Sequence, residues 1–507
     1  MNRFGSFRLN LLASWGSHAV GILIGVFLMP YVLHTLGDAQ YGTWIFISSI
    51  AGYSGLLYLG FGETISRYVA TYHATSDWKK LNQVVSCIFL VYFGMGTLAL
   101  CIAGVLAWLA PVLFSWGDVS LLEIRLVILV LGLNVFVGLL GSVYGGVLMG
   151  IHRFDIERGI QIVTAILRLV LIVTFLNEEW GLLTIASIFL ALTVIENLCQ
   201  MVFAYYHVKT LSLRLTNFNS EFLKDSSRFS AYAFLSSISN QLIDCTDSIV
   251  IGIFLSPKAI VPFYIALRLS RMISTPIEYI GRIAMPKAGD LFARGEQSKL
   301  EHLITKGVGM AFLLSTAFFI GGGFFGKSVI TTWIGPGYEQ SHLLFLVLLV
   351  TRIVAIPSGV MRCVMFGMGQ VKAPSIIYFC EAIANVLLSM LLIGPFGLMG
   401  VALGTAIPLI LIESAVLLPL AFRVTQVSFS QIIRHAIGPQ LPALIALLVY
   451  SFVITEVVPQ AIGWFYIYAV SAGGGTVLVL TWLASNRMIK HFDFHDQSGH
   501  ELKPQSL

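Results

Sequence analysis

The sequence has 507 residues, of which 57% are hydrophobic and only 11% are charged, with a mean hydropathy of +0.87 and a net charge of +5. A water-soluble domain carries roughly 25% charged residues, so this composition excludes a soluble protein and requires lipid as the surrounding solvent. The net charge is too small to indicate a nucleic-acid partner. None of the six cysteines forms a CxxC pair, so neither a zinc site nor a disulfide framework is indicated.

Long apolar runs follow one another along the chain. Backbone polar groups cannot be left unsatisfied in lipid, so each run that can cross a hydrocarbon layer of about 30 Å is predicted to be a helix. The first run exceeds the apolar core of a signal peptide, which has roughly 7–15 residues. The predicted spans are 11–33, 43–66, 84–110, 122–149, 159–177, 182–207, 229–254, 262–285, 307–330, 343–368, 375–394, 398–421, 437–457 and 464–485. The predicted fold class is an all-α integral membrane protein of about fourteen transmembrane helices.

Lysine and arginine are distributed unevenly between the two sides of these spans. If the N-terminus is cytoplasmic, nearly every Lys and Arg outside the spans falls in a cytoplasmic segment, and the opposite loops hold only Lys258 and Lys327. A bias of this kind sets the orientation of multi-pass proteins. We therefore expect both termini, including a polar tail over residues 486–507, to lie in the cytoplasm.

The two halves of the chain match at a constant offset of 219 residues. Lys80-Leu81 corresponds to Lys299-Leu300, and Met149-Gly150 corresponds to Met368-Gly369. The offset spans six helices and preserves their direction, so it predicts two six-helix bundles related by a parallel repeat, with a substrate site at their interface. The predicted divisions are an N-terminal bundle over 1–215, a C-terminal bundle over 216–425, and two further helices with the tail over 426–507.

The predicted eighth helix carries a charged stripe. Its members, spaced three or four residues apart on one helical face, are Arg268, Arg271, Thr275, Glu278 and Arg282. Ionisable groups at bilayer depth cost about 2.5–3.5 kcal/mol each, so these should face water, a partner or a substrate. Pro276 removes one backbone hydrogen bond and should kink the helix. The stripe favours a substrate cavity over an interior salt-bridge network in which Glu278 pairs with Arg282.

Other ionisable residues lie within the predicted spans. Arg352 and Arg362 add cations to the same half, and arginine suits phosphate because its planar fork makes two parallel hydrogen bonds. Asp244 and Asp247 lie about one turn apart on the seventh helix, where two carboxylates repel each other. They could pair with the helix 8 arginines, carry a proton for coupling, or bind a cation; static pairing is slightly favoured. Glu63 is a further acid within a span.

The sequence lacks the common catalytic signatures. No HExxH, P-loop, dinucleotide-binding or GxSxG pattern occurs in the sequence. We therefore expect a protein that is not an enzyme and has no cofactor or metal.

One stretch of the sequence resembles a known family. The segment Leu36-Gly37-Asp38-Ala39-Gln40-Tyr41-Gly42-Thr43-Trp44 is followed by Gly52-Tyr53, Leu59-Gly60-Phe61-Gly62 and Arg67-Tyr68-Val69-Ala70. This run resembles the N-terminal signature of the bacterial O-antigen and exopolysaccharide flippases of the multidrug/oligosaccharidyl-lipid/polysaccharide exporter superfamily. The resemblance covers the full length, as twelve helices in two bundles and two additional C-terminal helices.

The resemblance implies a function. The implied substrate is undecaprenyl-pyrophosphate-linked oligosaccharide, which would move from the cytoplasmic to the periplasmic leaflet of the inner membrane by alternating access driven by H+ or Na+. The residues that would receive the pyrophosphate or acidic sugars are Arg268, Arg271, Arg352 and Arg362, with Arg282 beside them. The candidates for coupling or charge pairing are Asp244, Asp247, Glu278 and Glu63. The implied partners are the lipid-linked oligosaccharide, the coupling ion, the bilayer, and polysaccharide polymerase and chain-length proteins.

Two alternatives remain open. A multidrug extruder of the same fold is disfavoured because an arginine-lined cavity would repel a cationic drug. A membrane glycosyltransferase, polymerase or ligase is disfavoured because such enzymes usually present a large extracytoplasmic loop with acid or base groups, whereas the outside loops here are short and nearly uncharged.

Overall fold

The computed structural model of the protein describes a helical chain. It describes the backbone of residues 3–58, 61–113, 116, 119–177, 179, 181–214, 220–458 and 462–500, and the side chains of these residues except 3–19, 61–63, 113, 220–233 and 486–500. Within this part of the chain, all regular structure is helical. The predicted all-α fold class is thereby confirmed.

Fifteen α-helices follow one another in the described part of the chain. They are α1 (Arg3–Gly52), α2 (Phe61–Ala74), α3 (Trp78–Leu113), α4 (Leu121–Gly150), α5 (Phe154–Phe175), α6 (Gly181–His207), α7 (Ser220–Phe254), α8 (Pro257–Ala293), α9 (Gln297–Trp333), α10 (Gln340–Gly367), α11 (Lys372–Ile412), α12 (Leu418–Thr425), α13 (Phe429–Gln431), α14 (Leu441–Val457) and α15 (Trp464–His500). Short 3₁₀ or π turns extend them at Tyr53–Tyr58, Glu413–Leu417, Ile432–Ile437 and Gly438–Gln440.

Two glycines divide the longest helices. Gly37 in α1 has φ 70° and ψ 171°, and Gly397 in α11 has φ 56° and ψ −135°. Glycine adopts positive φ without the steric penalty that a Cβ brings, so the chain can end one helix and begin the next within a single residue. These breaks separate the first predicted span from the second, and the eleventh from the twelfth.

Ten stretches of the described chain are long and apolar enough to cross a membrane. Two of these stretches contain the glycine breaks described above, so each holds two predicted spans. Helices α7 and α8 are long enough to cross a membrane, but their polar side chains make them too polar to be counted among the ten. The total is consistent with the predicted fourteen spans. Large apolar side chains such as Trp108, Val112 and Leu391 are exposed, as expected of surfaces that contact lipid.

The chain divides into two compact units, Met1–Val261 and Pro262–Leu507. Contacts between helices define these units, whereas the boundaries after residues 215 and 425 follow the sequence repeat, and those boundaries stay a prediction. We call the two units the N-terminal unit and the C-terminal unit.

The repeat is visible in one turn of each unit. The corresponding residues, at the offset of 219, are Ser76 with Gly295, Asp77 with Glu296, and Lys80 with Lys299. The first pair has positive φ, 55° and 69°. In both turns the acid and the lysine form an ion pair three residues apart, at 3.3 and 2.5 Å. The backbone hydrogen bonds of the two turns also correspond one to one. The two halves therefore share local structure as well as sequence phase.

Helix α8 continues unbroken past Pro262, Pro276 and Pro286. The kink expected at Pro276 therefore does not interrupt the helix.

A glycine contact brings α8 close to α10. A Cβ built on Gly367 would lie 2.1 Å from the carbonyl oxygen of Met285, a distance that no packed side chain can accept.

This contact yields a stability prediction. Gly367→Ala should destabilise the protein by about 1–3 kcal/mol, because backbone must move to relieve the overlap. Gly359→Ala on the same helix should leave stability unchanged or slightly raised, since nothing lies within 4 Å of the added Cβ. Thermal unfolding of the purified proteins in detergent measures both. Equal stabilities would contradict the tight α8–α10 contact.

Candidate functional site

Helix α8 has an apolar face and a charged face. Ile277, Ala284 and Ala288 belong to a buried apolar cluster that also includes residues of α9, α10 and α12. On the other face Glu278 and Arg282 are exposed, and the stripe continues with half-buried arginines toward the N-terminus of the helix. Lipid tails cannot solvate ions, so the charged face must contact water, a ligand or other polar groups.

The other three members of the stripe differ in their exposure. Arg268 and Arg271 are half-buried, and Thr275 is exposed. The guanidinium carbon of Arg282 lies 5.3 Å from the ring centre of Tyr279, within the range of a cation–π contact. The five predicted members therefore occur on one side of α8, as the spacing indicated.

Arg362 of α10 is bound by two groups of neighbouring helices. It forms an ion pair with Glu413, whose side chain is 1% exposed, and its guanidinium carbon lies 4.3 Å from the ring centre of Tyr378. Glu413 begins a π-helical turn, a local irregularity often found at functional positions. A buried ion pair of this kind holds α10 to the end of α11, so Arg362 has a structural role whether or not it also binds substrate.

Arg352 of α10 also lies near polar groups of neighbouring helices. Its Nε atom lies 3.4 Å from the hydroxyl of the fully buried Ser270 of α8. Glu381 of α11 is 3% exposed, and both Arg352 and Arg362 act on it electrostatically. Acids therefore accompany the arginines of α10 inside the C-terminal unit. The pairing of Arg362 with Glu413 could not be predicted from the sequence, since partners some fifty residues apart leave no local pattern.

The predicted acids of the seventh helix belong to the N-terminal unit. Asp247 is 1% exposed, whereas Asp244 is exposed, so the two carboxyl groups have different surroundings. Next to Asp247, the hydroxyls of Thr246 and Tyr53 lie 2.5 Å apart and join α7 to the 3₁₀ turn after α1. Glu63 lies outside the residues whose side chains are described.

The N-terminal unit contains a polar cavity of about 350 Å³ that was not predicted from the sequence. Helix α6 contributes one polar face to it, formed by Thr193, Glu196, Asn197 and Gln200. Their spacing of i, i+3, i+4 and i+7 is as regular as that of the α8 stripe, so the sequence did carry a signal for this polar face. Helices α4 and α5 supply the facing polar groups, so the cavity collects amides, hydroxyls and two glutamates.

The carboxylates of this cavity already have protein partners. Glu157 pairs with Arg158 at 3.2 Å and accepts a hydrogen bond of 2.5 Å from the Gln161 amide, which itself accepts a bond of 2.8 Å from Arg158. Glu196 interacts with Arg168 of α5, whose guanidinium carbon lies 4.4 Å from the ring centre of Phe189. The acidic charge of the cavity is therefore partly neutralised.

Comparisons with known proteins add a family and a fold. The family model described as polysaccharide biosynthesis protein matches residues 10–287. The uncharacterized membrane protein EpsK of Bacillus subtilis (strain 168) is 21% identical over 448 residues, which cover 87% of this chain and 88% of that protein.

Solved structures share the architecture at low sequence identity. The lipid II flippase MurJ, in an inward closed conformation, is 14% identical with a TM-score of 0.72, over 96% of this chain and 99% of that one. An inward-facing multidrug resistance transporter of the MATE family, in the MOP superfamily, is 18% identical with a TM-score of 0.67, over 84% of this chain and 95% of that one. These likenesses establish the fold.

Proposed function

Because the chain belongs to the polysaccharide biosynthesis protein family, whose model matches more than half of it, we propose that it is a flippase for lipid-linked oligosaccharide. It moves undecaprenyl-pyrophosphate-linked glycan from the cytoplasmic to the periplasmic leaflet, for O-antigen or exopolysaccharide synthesis. The movement proceeds by alternating access coupled to H+ or Na+. In this proposal the protein lies in the bacterial inner membrane with both termini in the cytoplasm, and it is not an enzyme.

The observation that carries this proposal is the charged face of α8. Arg282 and Glu278 are exposed on a helix of 37 residues, which is about 55 Å long and sufficient to cross a bilayer. Arginine forks match the geometry of phosphate oxygens, and a pyrophosphate offers several of them. Arg268 and Arg271 continue the same face and would hold the pyrophosphate, with Arg352 and Arg362 adding positive potential from α10.

The proposed coupling site lies on α7. Asp247 is a buried carboxyl and Asp244 an exposed one on the same helix, and such a pair can hold a proton or a sodium ion. Glu278 and Glu63 remain further candidates. Polysaccharide polymerase and chain-length proteins are the proposed protein partners, because they would act on the glycan after it has crossed.

Deletion of the gene in its own bacterium tests the proposal. We expect surface polysaccharide to disappear and lipid-linked repeat units to accumulate on the cytoplasmic face, because synthesis continues while export stops. Gel analysis of the polysaccharide and mass spectrometry of extracted lipids measure the two effects, and plasmid-borne expression should reverse both. Normal surface polysaccharide together with increased sensitivity to cationic drugs would instead support the multidrug extruder, which the MATE-like fold also permits.

A further inference from the structure

The charged face of α8 carries the proposed phosphate site and gives no role to the polar cavity of the N-terminal unit. We propose that this cavity binds a neutral sugar residue of the translocated glycan. This inference rests on the proposed flippase function. It assigns a binding site to the glycan, whereas the arginines of α8 are proposed to bind the pyrophosphate.

The charge of the cavity wall selects a neutral ligand. No Lys or Arg is among the described residues that line it, so it offers no counter-charge to a pyrophosphate. Glu157 is already bound by Arg158 and Gln161, which lowers its attraction for a cation. The other hydrogen-bonding groups of the wall are mainly amides and hydroxyls, which both donate and accept hydrogen bonds as sugar hydroxyls do.

One amide of the wall, that of Asn134, is incompletely hydrogen-bonded within the described part of the chain. The Oδ1 atom of Asn134 on α4 is buried and has no hydrogen-bond partner among the described residues. Buried polar atoms of folded proteins are nearly always satisfied, so the described residues leave part of the hydrogen-bonding capacity of the Asn134 side chain unused. Tyr58 adds a phenol to the same wall, and an edge contact with Tyr92, with ring centres 5.7 Å apart, holds its ring in place.

Gly138 of α4 keeps part of the cavity open. A Cβ built on Gly138 would have only two neighbours within 4 Å, the Tyr58 hydroxyl and a methyl group of Thr193, each at 3.8 Å. Both contacts are at ordinary van der Waals distance, so alanine fits here. A longer side chain would extend into the cavity that Gly138 lines and occupy the space of a ligand.

An apolar surface adjoins the polar cavity. An apolar groove of about 190 Å³ in the same unit shares Ser54 and Val135 with the polar cavity, and the remainder of its wall is almost entirely aliphatic or aromatic. The volume of the polar cavity lies in the range of about 300–1,000 Å³ typical of ligand sites, whereas the groove is smaller. The hydrogen-bonding groups of this region are therefore concentrated in the polar cavity.

Binding of two defined lipids to the full-length protein in phospholipid nanodiscs tests the inference. The probes are undecaprenyl pyrophosphate and undecaprenyl pyrophosphate carrying one neutral hexose. We expect the wild type to bind the hexose-bearing lipid about tenfold more tightly, since one or two net hydrogen bonds contribute about 1.4 kcal/mol. Asn134→Leu and Gly138→Leu should reduce this preference to less than about twofold without changing the affinity for the bare lipid.

Matched controls separate site effects from general damage. Gly138→Ala and Leu133→Val, the latter at an exposed apolar position next to Asn134, should keep the tenfold preference. A wild type without sugar preference, or a preference that survives Gly138→Leu, would overturn the sugar site while leaving the flippase intact. Failure of the wild type to bind either lipid would contradict the proposed function itself.

Discussion

The double variant Arg268→Ala, Arg271→Ala should lose glycan translocation almost completely while the protein still folds and inserts into the membrane. Each charge-assisted hydrogen bond to a phosphate contributes about 1.5–3 kcal/mol, so the loss of two such residues should lower transport more than a hundredfold. Folding should be little affected, because the apolar face of α8 provides the packing with α9 and α10. The measurement is surface polysaccharide in the deletion strain complemented with the variant, normalised to the amount of protein in the membrane.

Two further variants sharpen this result. Lys287→Ala removes an exposed cation of the same helix outside the stripe and should transport normally. Arg268→Lys, Arg271→Lys preserves the charge but not the planar fork, so it should restore only part of the activity. Wild-type export by the double alanine variant would remove the phosphate-binding role of α8.

The second large effect concerns the ion pair between Arg362 and Glu413. Arg362→Ala should destabilise the protein by about 3–5 kcal/mol, because it leaves the carboxylate of Glu413 buried without its counter-charge. The effect should exceed that of Glu413→Ala, since Arg362 also acts on the buried Glu381. Thermal unfolding in detergent and the yield of membrane-inserted protein measure the loss.

A paired substitution distinguishes structure from transport at this position. Arg362→Met, Glu413→Leu removes both charges with little change in volume and should recover most of the stability, because no isolated ion remains between these two residues. If this variant folds but does not transport, Arg362 also binds substrate, as the sequence analysis predicted. If Arg362→Ala is as stable as the wild type, the pair does not contribute to the fold as we infer.

Much of the architecture follows from the amino-acid sequence alone. The helical class follows because apolar runs of this length must satisfy their backbone hydrogen bonds internally in lipid. The offset of 219 residues predicted corresponding span ends, and the turns at Ser76 and Gly295 show the same φ region and the same type of ion pair. The face shared by Arg268, Arg271 and Glu278 follows from helical periodicity, since residues three and four apart lie on one side.

Other features depend on how helices are rotated and packed, which periodicity does not specify. The partner of Arg362 is on the π turn after α11, and that of Arg352 is on α8, and both pairs exist only because distant segments meet. The polar face of α6 is readable as a pattern, but only packing against α4 and α5 shows that it encloses a cavity instead of contacting another helix. Composition and period thus determined which residues are polar and on which side of their helix, and tertiary structure decided what each of those sides faces, because that depends on contacts between segments far apart in the chain.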